Sequence, residues 1–375
     1  MPDNSQSPVI VALSGGVDSA VAASLLVERG FDVQGLFMSN WEEDEDAYCT
    51  SADDYQDARR VAEQLGIPLH RASFAREYRD RVFARFLEEC QAGRTPNPDV
   101  LCNREIKFGA CYEYARRLGA RYLATGHYAR LGRAGTETVL QRAADESKDQ
   151  TYFLHAIDPA LLRNVMFPLG DMHKSEVRAY ARSRALPVHD KKDSTGICFI
   201  GERPFADFLG SYLPARPGLI ETIDGEPLGR HLGLMYYTLG QRQGLGVGGR
   251  RGASDQPWYV AEKDLERNVL VVVQGSNHPR LLSYGLETGP MHWLVHDRLP
   301  RGAIQAQIRH RQQPTSVTVT IDAEGAASVL FEEPQRAVTP GQFAVLYAEG
   351  CCLGGAAIRR AVPHVEHLPA LRARA

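Results

Sequence analysis

Short apolar runs alternate with segments of helical periodicity along the first two hundred residues. Residues 9–13 form an apolar, β-branched run, Ser-Gly-Gly follows, and apolar positions at helical spacing then extend over 20–29 until Gly30. The alternation continues with apolar runs at 31–38, 68–73 and 121–128 and with helical patterns at 51–65, 74–92, 104–118 and 174–186. Strands that alternate with helices predict parallel βαβ units with helices on both faces of one sheet.

The pattern changes near residue 210, where helical periodicity fades. Gly- and Pro-rich turns then separate short β-like runs at 218–220, 258–260 and 269–273, and further β-rich runs follow at 304–308, 316–321 and 343–347. A chain of 375 residues is too long for one small core. We therefore predict an α/β domain with a doubly wound, mainly parallel sheet at 1–210, a small β-rich domain at 211–280 and a C-terminal antiparallel β-barrel at 281–375.

Composition narrows the class of protein without naming a function. A hydrophobic content of 43% and a charged content of 24% are ordinary for a soluble globular chain. Residues 1–8 carry no basic stretch before an apolar one, and no run approaches the roughly 18 apolar residues of a membrane span, so we expect a cytoplasmic protein with no membrane partner. The net charge of −3 means that any nucleic acid must be bound by local basic patches.

Two cysteines stand out for chemistry. None of the seven cysteines belongs to a Cys-x-x-Cys pair, so no zinc site is predicted, and an odd count argues against a structural disulfide framework. Cys102 precedes the helical pattern at 104–118, and a helix N-terminus stabilises a thiolate. Cys198 lies in a Gly-containing loop after Lys191 and Lys192, whose charges also favour a thiolate. Burial as a small hydrophobic residue is the alternative for both.

The loop after the first apolar run has the chemistry of a phosphate site. Gly15 and Gly16 let the backbone approach a ligand closely, and the free N–H groups of a helix start attract phosphate. The full string at 14–19, Ser-Gly-Gly-Val-Asp-Ser, resembles the fingerprint of the PP-loop ATP pyrophosphatases, which implies a Rossmann-like fold and cleavage of ATP to AMP and pyrophosphate. An ordinary strand-to-helix turn is the alternative. No Gly-Lys-Ser/Thr follows, so it is not a Walker loop.

Two further positions are expected near this loop. In doubly wound sheets ligands lie beyond the carboxyl ends of the strands, which favours Met38 and Gly126 as neighbours of a bound nucleotide and lets His127 meet a phosphate. A core methionine and a structural histidine are the alternatives.

Six strings together resemble one family, the bacterial tRNA-specific 2-thiouridylases, over nearly the whole chain. They are Ser-Gly-Gly-Val-Asp-Ser at 14–19, Thr-Pro-Asn-Pro-Asp-Val-Leu-Cys-Asn at 95–103, Ala-Thr-Gly-His-Tyr at 124–128, Lys-Asp-Gln-Thr-Tyr-Phe-Leu at 148–154, Asp-Ser-Thr-Gly-Ile-Cys-Phe-Ile-Gly at 193–201 and Tyr-Thr-Leu-Gly-Gln-Arg-Gln-Gly-Leu-Gly at 237–246. Two departures are visible: Thr151 stands where serine is common, and His310 stands where an aromatic such as tyrosine is often found.

The resemblance implies a role for specific residues. It implies that ATP is bound by Ala12, Leu13, Ser14, Gly15, Gly16, Val17, Asp18, Ser19, Met38 and Gly126. It implies that the target base meets Asn97, Pro98 and Asp99. It implies that the rest of the tRNA meets His127, Lys148, Asp149, Gln150, Arg309, His310 and Gln342.

The resemblance also implies a reaction. ATP, with Mg²⁺ on its phosphates, adenylates the C2 oxygen of the wobble uridine in tRNA, and sulfur then displaces AMP. Cys198 carries the sulfur as a persulfide received from a donor protein, and Cys102 attacks it to release sulfide and close a transient disulfide. Direct attack by the terminal persulfide sulfur is the competing version. Asp99 is the candidate general acid or base.

Two other functions remain open at this level. Another PP-loop enzyme, such as an amidotransferase-type synthetase or a lysidine synthetase, would also adenylate a substrate, but it would have no use for Cys102 and Cys198 together. A non-catalytic tRNA-binding protein would not need the intact loop at 14–19.

Overall fold

A computed structural model describes residues 7–41, 50–193, 205–248, 256–296, 299 and 302–363. The strands of its first half are β1 (Pro8–Ala12), β2 (Asp32–Ser39), β3 (Leu69–Ser73), β4 (Tyr122–Ala124), β5 (Arg130–Ala134), β6 (Glu137–Gln141) and β7 (Val165–Met166). Five of them form a parallel sheet in the order β3-β2-β1-β4-β7. The order reverses at β1, which is the topological switch point where such sheets bind ligands.

Helices cover this sheet as the periodicity predicts. They are α1 (Val17–Glu28), α2 (Thr50–Leu65), α3 (Ala75–Tyr78), α4 (Ala84–Gln91), α5 (Pro98–Leu101), α6 (Cys111–Arg117), α7 (Thr151–Leu154), α8 (Lys174–Ser183) and α9 (Phe205–Gly210). Two π-helical segments, Arg79–Phe83 and Cys102–Ala110, join α3 to α4 and α5 to α6. None of the helices that the structure describes is long and apolar enough to cross a membrane.

The second and third parts of the chain are β-rich, as predicted. A four-stranded sheet contains β8 (Gly218–Glu221), β9 (Pro227–His231), β10 (Trp258–Asp264) and β11 (Val269–Gln274) in the order β10-β11-β8-β9. The strands that follow are β12 (Leu282–Pro290), β13 (His292–Trp293), β14 (Ile304–Gln307), β15 (Thr315–Ile321), β16 (Ala326–Arg336), β17 (Phe343–Ala348) and β18 (Cys351–Pro363). Antiparallel pairing runs β12-β16-β15-β14-β17-β18 and returns to β12, which closes a six-stranded barrel.

The barrel is not a separate body. The hairpin β5–β6 follows β4 in the chain and pairs with β18 of the barrel through Gln141 and Cys351. Beside this pair, the Arg142 N–H donates to the Gly350 carbonyl at 2.9 Å. Tyr347 and Cys352 of the barrel lie fully buried in the same apolar cluster as Ile10 of β1. The predicted domains 1–210 and 281–375 therefore share one core.

The segment around Cys102 differs from its sequence prediction. The helix begins at Pro98 and not near residue 104, and Asn97 is its N-cap. Proline is compatible with the first turn because its missing N–H is not needed there. Cys102 consequently lies one turn inside a continuous helical stretch, at the start of a π-helical segment, and not at the helix N-terminus.

Candidate functional site

The loop at 14–16 joins β1 to α1 and has the expected cradle form. Gly15 has φ +76°, and a Cβ there would collide with the Asp54 carbonyl of α2, so only glycine fits. Gly16 is the N-cap of α1. The Ser14 N–H donates to the Ser19 hydroxyl at 3.2 Å, and that hydroxyl donates to the Gly16 carbonyl at 3.1 Å. The Ser14 side chain stays exposed. The Ser14 N–H and the Ser19 hydroxyl are thus engaged within the loop, and the start of α1 is the part that suits phosphate.

Lys174 reaches Asp18 at the first turn of α1. Its Nζ lies 2.7 and 2.8 Å from the two Asp18 carboxylate oxygens and 2.9 Å from Asp193. The Tyr128 hydroxyl donates to Asp18 at 2.9 Å, and burial together with the Asp18 charge raises the pKa of Tyr128. Burial works against ionisation of Asp193, but Lys174 and Lys148 hold its pKa below the ordinary value. The ammonium group of Lys174 thus lies beside the loop, where it is paired with two carboxylates.

Lys191 lies beside the loop itself. Its Nζ donates to the Gly15 carbonyl at 3.1 Å and to Asp54 at 2.7 Å, and it also pairs with Asp57. Burial disfavours its charge, but the two carboxylates raise the pKa of Lys191 above its ordinary value. Lys174 was not among the predicted site residues, and Lys191 was predicted only as a charge near Cys198. Both are far from 14–19 in sequence, and only the fold brings them to the loop.

Met38 and Gly126 lie at the carboxyl ends of their strands, as predicted. Met38 is half-buried near the end of β2. A Cβ on Gly126 would be 2.7 Å from the Ser19 nitrogen and 2.8 Å from the Asp18 carbonyl carbon. Glycine is therefore required here by the approach of the α1 backbone. The edge formed by β1, β2 and β4 brings the loop, Met38 and Gly126 together.

His127 lies just behind this edge. It is 8% exposed, its Nδ1 is 2.7 Å from the Thr125 hydroxyl, and its ring packs near Phe108 and Phe167. Burial, and then the charge of Lys107, lower the pKa of His127 well below its ordinary value. The ring is therefore neutral near pH 7. Any phosphate contact would have to use a neutral N–H and not a positive charge.

Asp99 lies in the helical stretch whose Phe108 ring packs near His127. It is in the first turn of α5, burial raises the pKa of its carboxyl, and the Lys107 charge opposes that rise. Lys107 therefore acts on both Asp99 and His127. Cys102, one turn further along the helix, is 1% exposed and packs in the core. In this conformation Cys102 is therefore a buried side chain, which was the alternative to a reactive thiolate.

The loop before α5 is held by both β-rich parts of the chain. Gln342 Nε2 donates to the Thr95 carbonyl at 2.8 Å and to the Pro96 carbonyl at 3.4 Å. The Thr95 N–H donates to the Pro340 carbonyl at 3.0 Å. Lys263 of β10 donates to the Gly93 carbonyl at 3.0 Å, and burial lowers the pKa of Lys263 to about 8. Gln342 thus positions the segment that carries Asn97, Pro98 and Asp99.

The other residues assigned to tRNA fall into two adjacent groups. Lys148 is half-exposed and pairs with Asp193 at 3.0 Å, and Gln150 exchanges hydrogen bonds with the backbone of Tyr128. The His310 ring lies 4.3 Å from the Phe153 ring on α7, between centroids. Lys148 also helps to lower the pKa of His310, after burial and Arg311. The groups 148–150 and 309–310 are therefore neighbours.

Two of these residues, Asp149 and Arg309, make hydrogen bonds within the protein. Asp149 is 5% exposed and accepts from the Ala143 N–H at 2.8 Å and the Thr151 hydroxyl at 2.6 Å. Arg309 donates to the carbonyls of Leu239 and Ala337 at 3.0 Å each and to the Thr339 hydroxyl at 2.9 Å. Cys198, the predicted sulfur carrier, lies outside the described residues.

Family models match three consecutive parts of the chain. The matching family models are described as a tRNA methyl transferase HUP domain (residues 7–202), a tRNA methyl transferase PRC-barrel domain (206–274) and an aminomethyltransferase β-barrel domain (283–358). A solved structure, U34-tRNA thiolase NcsA from Methanococcus maripaludis, aligns with a TM-score of 0.35 and 17% identity over 57% of this chain and 70% of that chain. That similarity is too low to carry weight.

Curated relatives named tRNA-specific 2-thiouridylase MnmA are far more similar. The one from Chromohalobacter salexigens is 55% identical over 360 residues, which are 96% of this chain and 94% of the relative. The one from Alcanivorax borkumensis is 57% identical over 353 residues, which are 93% of this chain and 96% of the relative. Identity at this level extends through all three predicted domains. The chain belongs to the family of bacterial tRNA-specific 2-thiouridylases.

Proposed function

We propose that this chain is a tRNA 2-thiouridylase that uses ATP to activate the C2 oxygen of the wobble uridine and replaces it with sulfur. One observation carries the proposal. The glycine loop with Lys174 and Lys191 opens on the sheet edge that also holds Gly126, and Lys107 links that edge electrostatically to Asp99. The glycine loop and a carboxyl group of raised pKa thus both belong to the α/β domain.

ATP is the first substrate of the proposed reaction. The loop donors of residues 12–19 would hold its phosphates, and Met38 with Gly126 would border the nucleoside. Lys174 and Lys191 lie beside the loop, and each would have to exchange a carboxylate partner for phosphate in order to offset the phosphate charge. Mg²⁺ would accompany ATP and stabilise the departing pyrophosphate.

The second substrate is tRNA, with its wobble uridine beside Asn97, Pro98 and Asp99. The uridine oxygen attacks the α-phosphate, pyrophosphate leaves, and the oxygen becomes a good leaving group as AMP. Asp99 is suited to hold or move a proton near the base because burial raises its pKa. The base must leave the anticodon stack to reach this site.

Sulfur arrives on Cys198 as a persulfide from a donor protein in the cytoplasm. The Cys102 thiolate attacks the Cys198 sulfur, hydrosulfide leaves, and a Cys102–Cys198 disulfide forms that an external thiol later reduces. Hydrosulfide then displaces AMP from C2. Cys102 is buried, so the stretch from Asn97 to Cys102 must open when tRNA binds. Direct attack by the terminal persulfide sulfur remains the competing version of this step.

Separate assays of activation and thiolation test the proposal. With tRNA, ATP and a persulfide donor, Cys198→Ser is expected to lose thiolation and to keep formation of AMP and pyrophosphate. Cys102→Ser should behave in the same way if hydrosulfide is the nucleophile. Cys351→Ser, a change at a half-exposed barrel cysteine, is the control and should keep full activity. Full thiolation by Cys198→Ser would overturn the carrier assignment, and intact 2-thiouridine in tRNA from cells lacking the protein would overturn the function.

A further inference from the structure

Asn103 carries a buried hydrogen-bond acceptor that the fold leaves unused. The side chain is 2% exposed, and its Nδ2 donates to the Phe153 carbonyl of α7 at 3.2 Å. This bond identifies the amide nitrogen, so the other polar atom is the acceptor oxygen Oδ1. In the part of the chain that the structure describes, no donor reaches Oδ1. A buried acceptor without a donor lowers stability, and such an atom in a native protein points to a role at a functional site.

The helical stretch that carries Asn103 also carries the proposed base site. Asp99 lies four residues before Asn103 in α5, and Lys107 lies four residues after it in the adjoining π-helical segment. Residues at this spacing share one helix face. The charge of Lys107 acts on both Asp99 and His127, and His127 follows Gly126, whose Cα approaches the α1 backbone at the ATP loop. Asn103 therefore lies on the face that runs from the proposed base site toward the proposed ATP site.

A lone acceptor at this position has the chemistry that selects uridine. The Watson–Crick edge of uracil has an N3–H donor between two carbonyl oxygens, whereas cytosine has an N3 acceptor in the same place. A protein that reads an unstacked base does so by hydrogen bonds to this edge. The Asn103 oxygen can accept from the N3–H of uridine, but it would oppose the N3 lone pair of cytidine.

We propose that Asn103 is a specificity residue for the target base: its Oδ1 accepts the N3–H of the wobble uridine in the complex that precedes adenylation. The inference rests on the proposed function and adds how uridine is distinguished from cytidine. Opening of the stretch from Asn97 to Cys102, which the proposed reaction requires, would also uncover Asn103 beside it. The Nδ2 bond to Phe153 holds the amide in one orientation, so that the oxygen and not the nitrogen meets the base.

The test measures the affinity of the full chain for two tRNAs that differ only in uridine or cytidine at the wobble position, with a non-cleavable ATP analogue bound. The parent should bind the uridine tRNA about tenfold more tightly, the effect of one buried hydrogen bond. In Asn103→Ala this ratio should fall to about one, because the uridine tRNA loses its acceptor. Asn164→Ala is the control and should keep the ratio, since Asn164 also donates its Nδ2 to a backbone carbonyl, that of Arg121 at 3.4 Å, just before β7.

A purely structural role of Asn103 gives a different result. Loss of the bond to Phe153 alone would weaken the binding of both tRNAs equally, so an unchanged ratio in Asn103→Ala would overturn the inference. A parent that binds both tRNAs equally would overturn it as well. If Asn103→Ala does not fold, Asn103→Leu, which keeps the side-chain volume, decides by the same ratio. If the parent forms 2-thiouridine and the ratio does not change, the inference is wrong and the proposed function stands; a parent that forms none would overturn the function itself.

Discussion

Asp99, the proposed acid–base group, carries a raised pKa that has a consequence for stability. Its carboxyl lies in the first turn of α5, where burial raises its pKa and Lys107 only partly offsets the rise. A carboxyl whose pKa is raised in the folded state contributes stability that is fully present below its unfolded pKa, near about 4, and is lost as the pH rises through the folded pKa. At neutral pH the buried Asp99 carboxyl therefore lowers the free energy of unfolding.

Asp99→Asn is expected to remove this cost together with the acid–base group. Its unfolding temperature relative to the parent should rise between pH 4 and pH 8, because the parent loses stability as the pH rises above the ordinary carboxyl pKa of about 4 and the amide does not titrate. Thiolation should fall by about a hundredfold or more. Thermal unfolding at the two pH values measures the first effect, and Asp171→Asn, at an exposed carboxyl, is the control. An unfolding-temperature difference independent of pH would contradict the raised pKa.

At the scale of elements, glycine sets the geometry at two positions near the site. Within the π-helical segment Cys102–Ala110, a Cβ on Gly109 would be 2.9 Å from the Arg104 carbonyl, five residues earlier. Glycine therefore allows the wide turn, and such segments often occur at functional sites. Gly15 in the β1–α1 loop combines φ +76° with close contact to the α2 backbone. The loop and α2 must fit each other for the cradle to form.

Gly15→Ala is expected to weaken ATP binding. The new Cβ meets the Asp54 carbonyl, so the loop must move away from α2 and lose the geometry of its donors. We expect ATP affinity, measured by calorimetry, to fall at least about tenfold. Gly225→Ala is the matched control, since Gly225 also has positive φ, at +81°, but has open space around it. It should cost about 1 kcal/mol of folding stability and leave ATP binding intact. Equal ATP affinity for both variants would refute the steric argument.

At the scale of the whole molecule, the α/β domain and the barrel depend on each other. Tyr347, Val345 and Cys352 complete the core that begins at β1. His292 lies 2.8 Å from the Ile157 carbonyl, and Tyr152 and Phe343 bond across the same junction at 3.2 Å. The 93–97 loop is held by both β-rich parts of the chain. The site is therefore assembled by all three predicted domains.

Deletion of residues 281–375 should destabilise the α/β domain and not merely remove tRNA contacts. It uncovers apolar side chains that the barrel buries, and each such side chain is worth about 1.5–3 kcal/mol. We expect the unfolding temperature of the shortened chain to drop by about 10 °C or more, or the chain to aggregate. A chain that ends at residue 363 keeps the barrel strands and is the control. An unchanged unfolding temperature after the larger deletion would show that the domains are independent.

The sequence by itself determined the fold class and the local structure around the glycine loop. Apolar periodicity predicted the parallel α/β sheet and the antiparallel barrel, and Ser-Gly-Gly-Val-Asp-Ser predicted the phosphate loop, because these signals lie within a few consecutive residues. The helix start at Pro98 was missed because two prolines were taken to exclude helix, although Asn97 and Pro98 make a favourable first turn.

Only the tertiary structure decided which distant side chains meet. Lys174 and Lys191 reach the loop from more than 150 residues away, and Gln342 fixes the Thr95 backbone from across the chain. Asp149 and His127, which the resemblance assigned to tRNA, are buried and hydrogen-bonded within the protein. The sequence could not predict this, because exposure depends on packing that no local pattern records. Hydrogen bonds and charges act over a few ångströms in space, and the fold alone brings separated residues within that range.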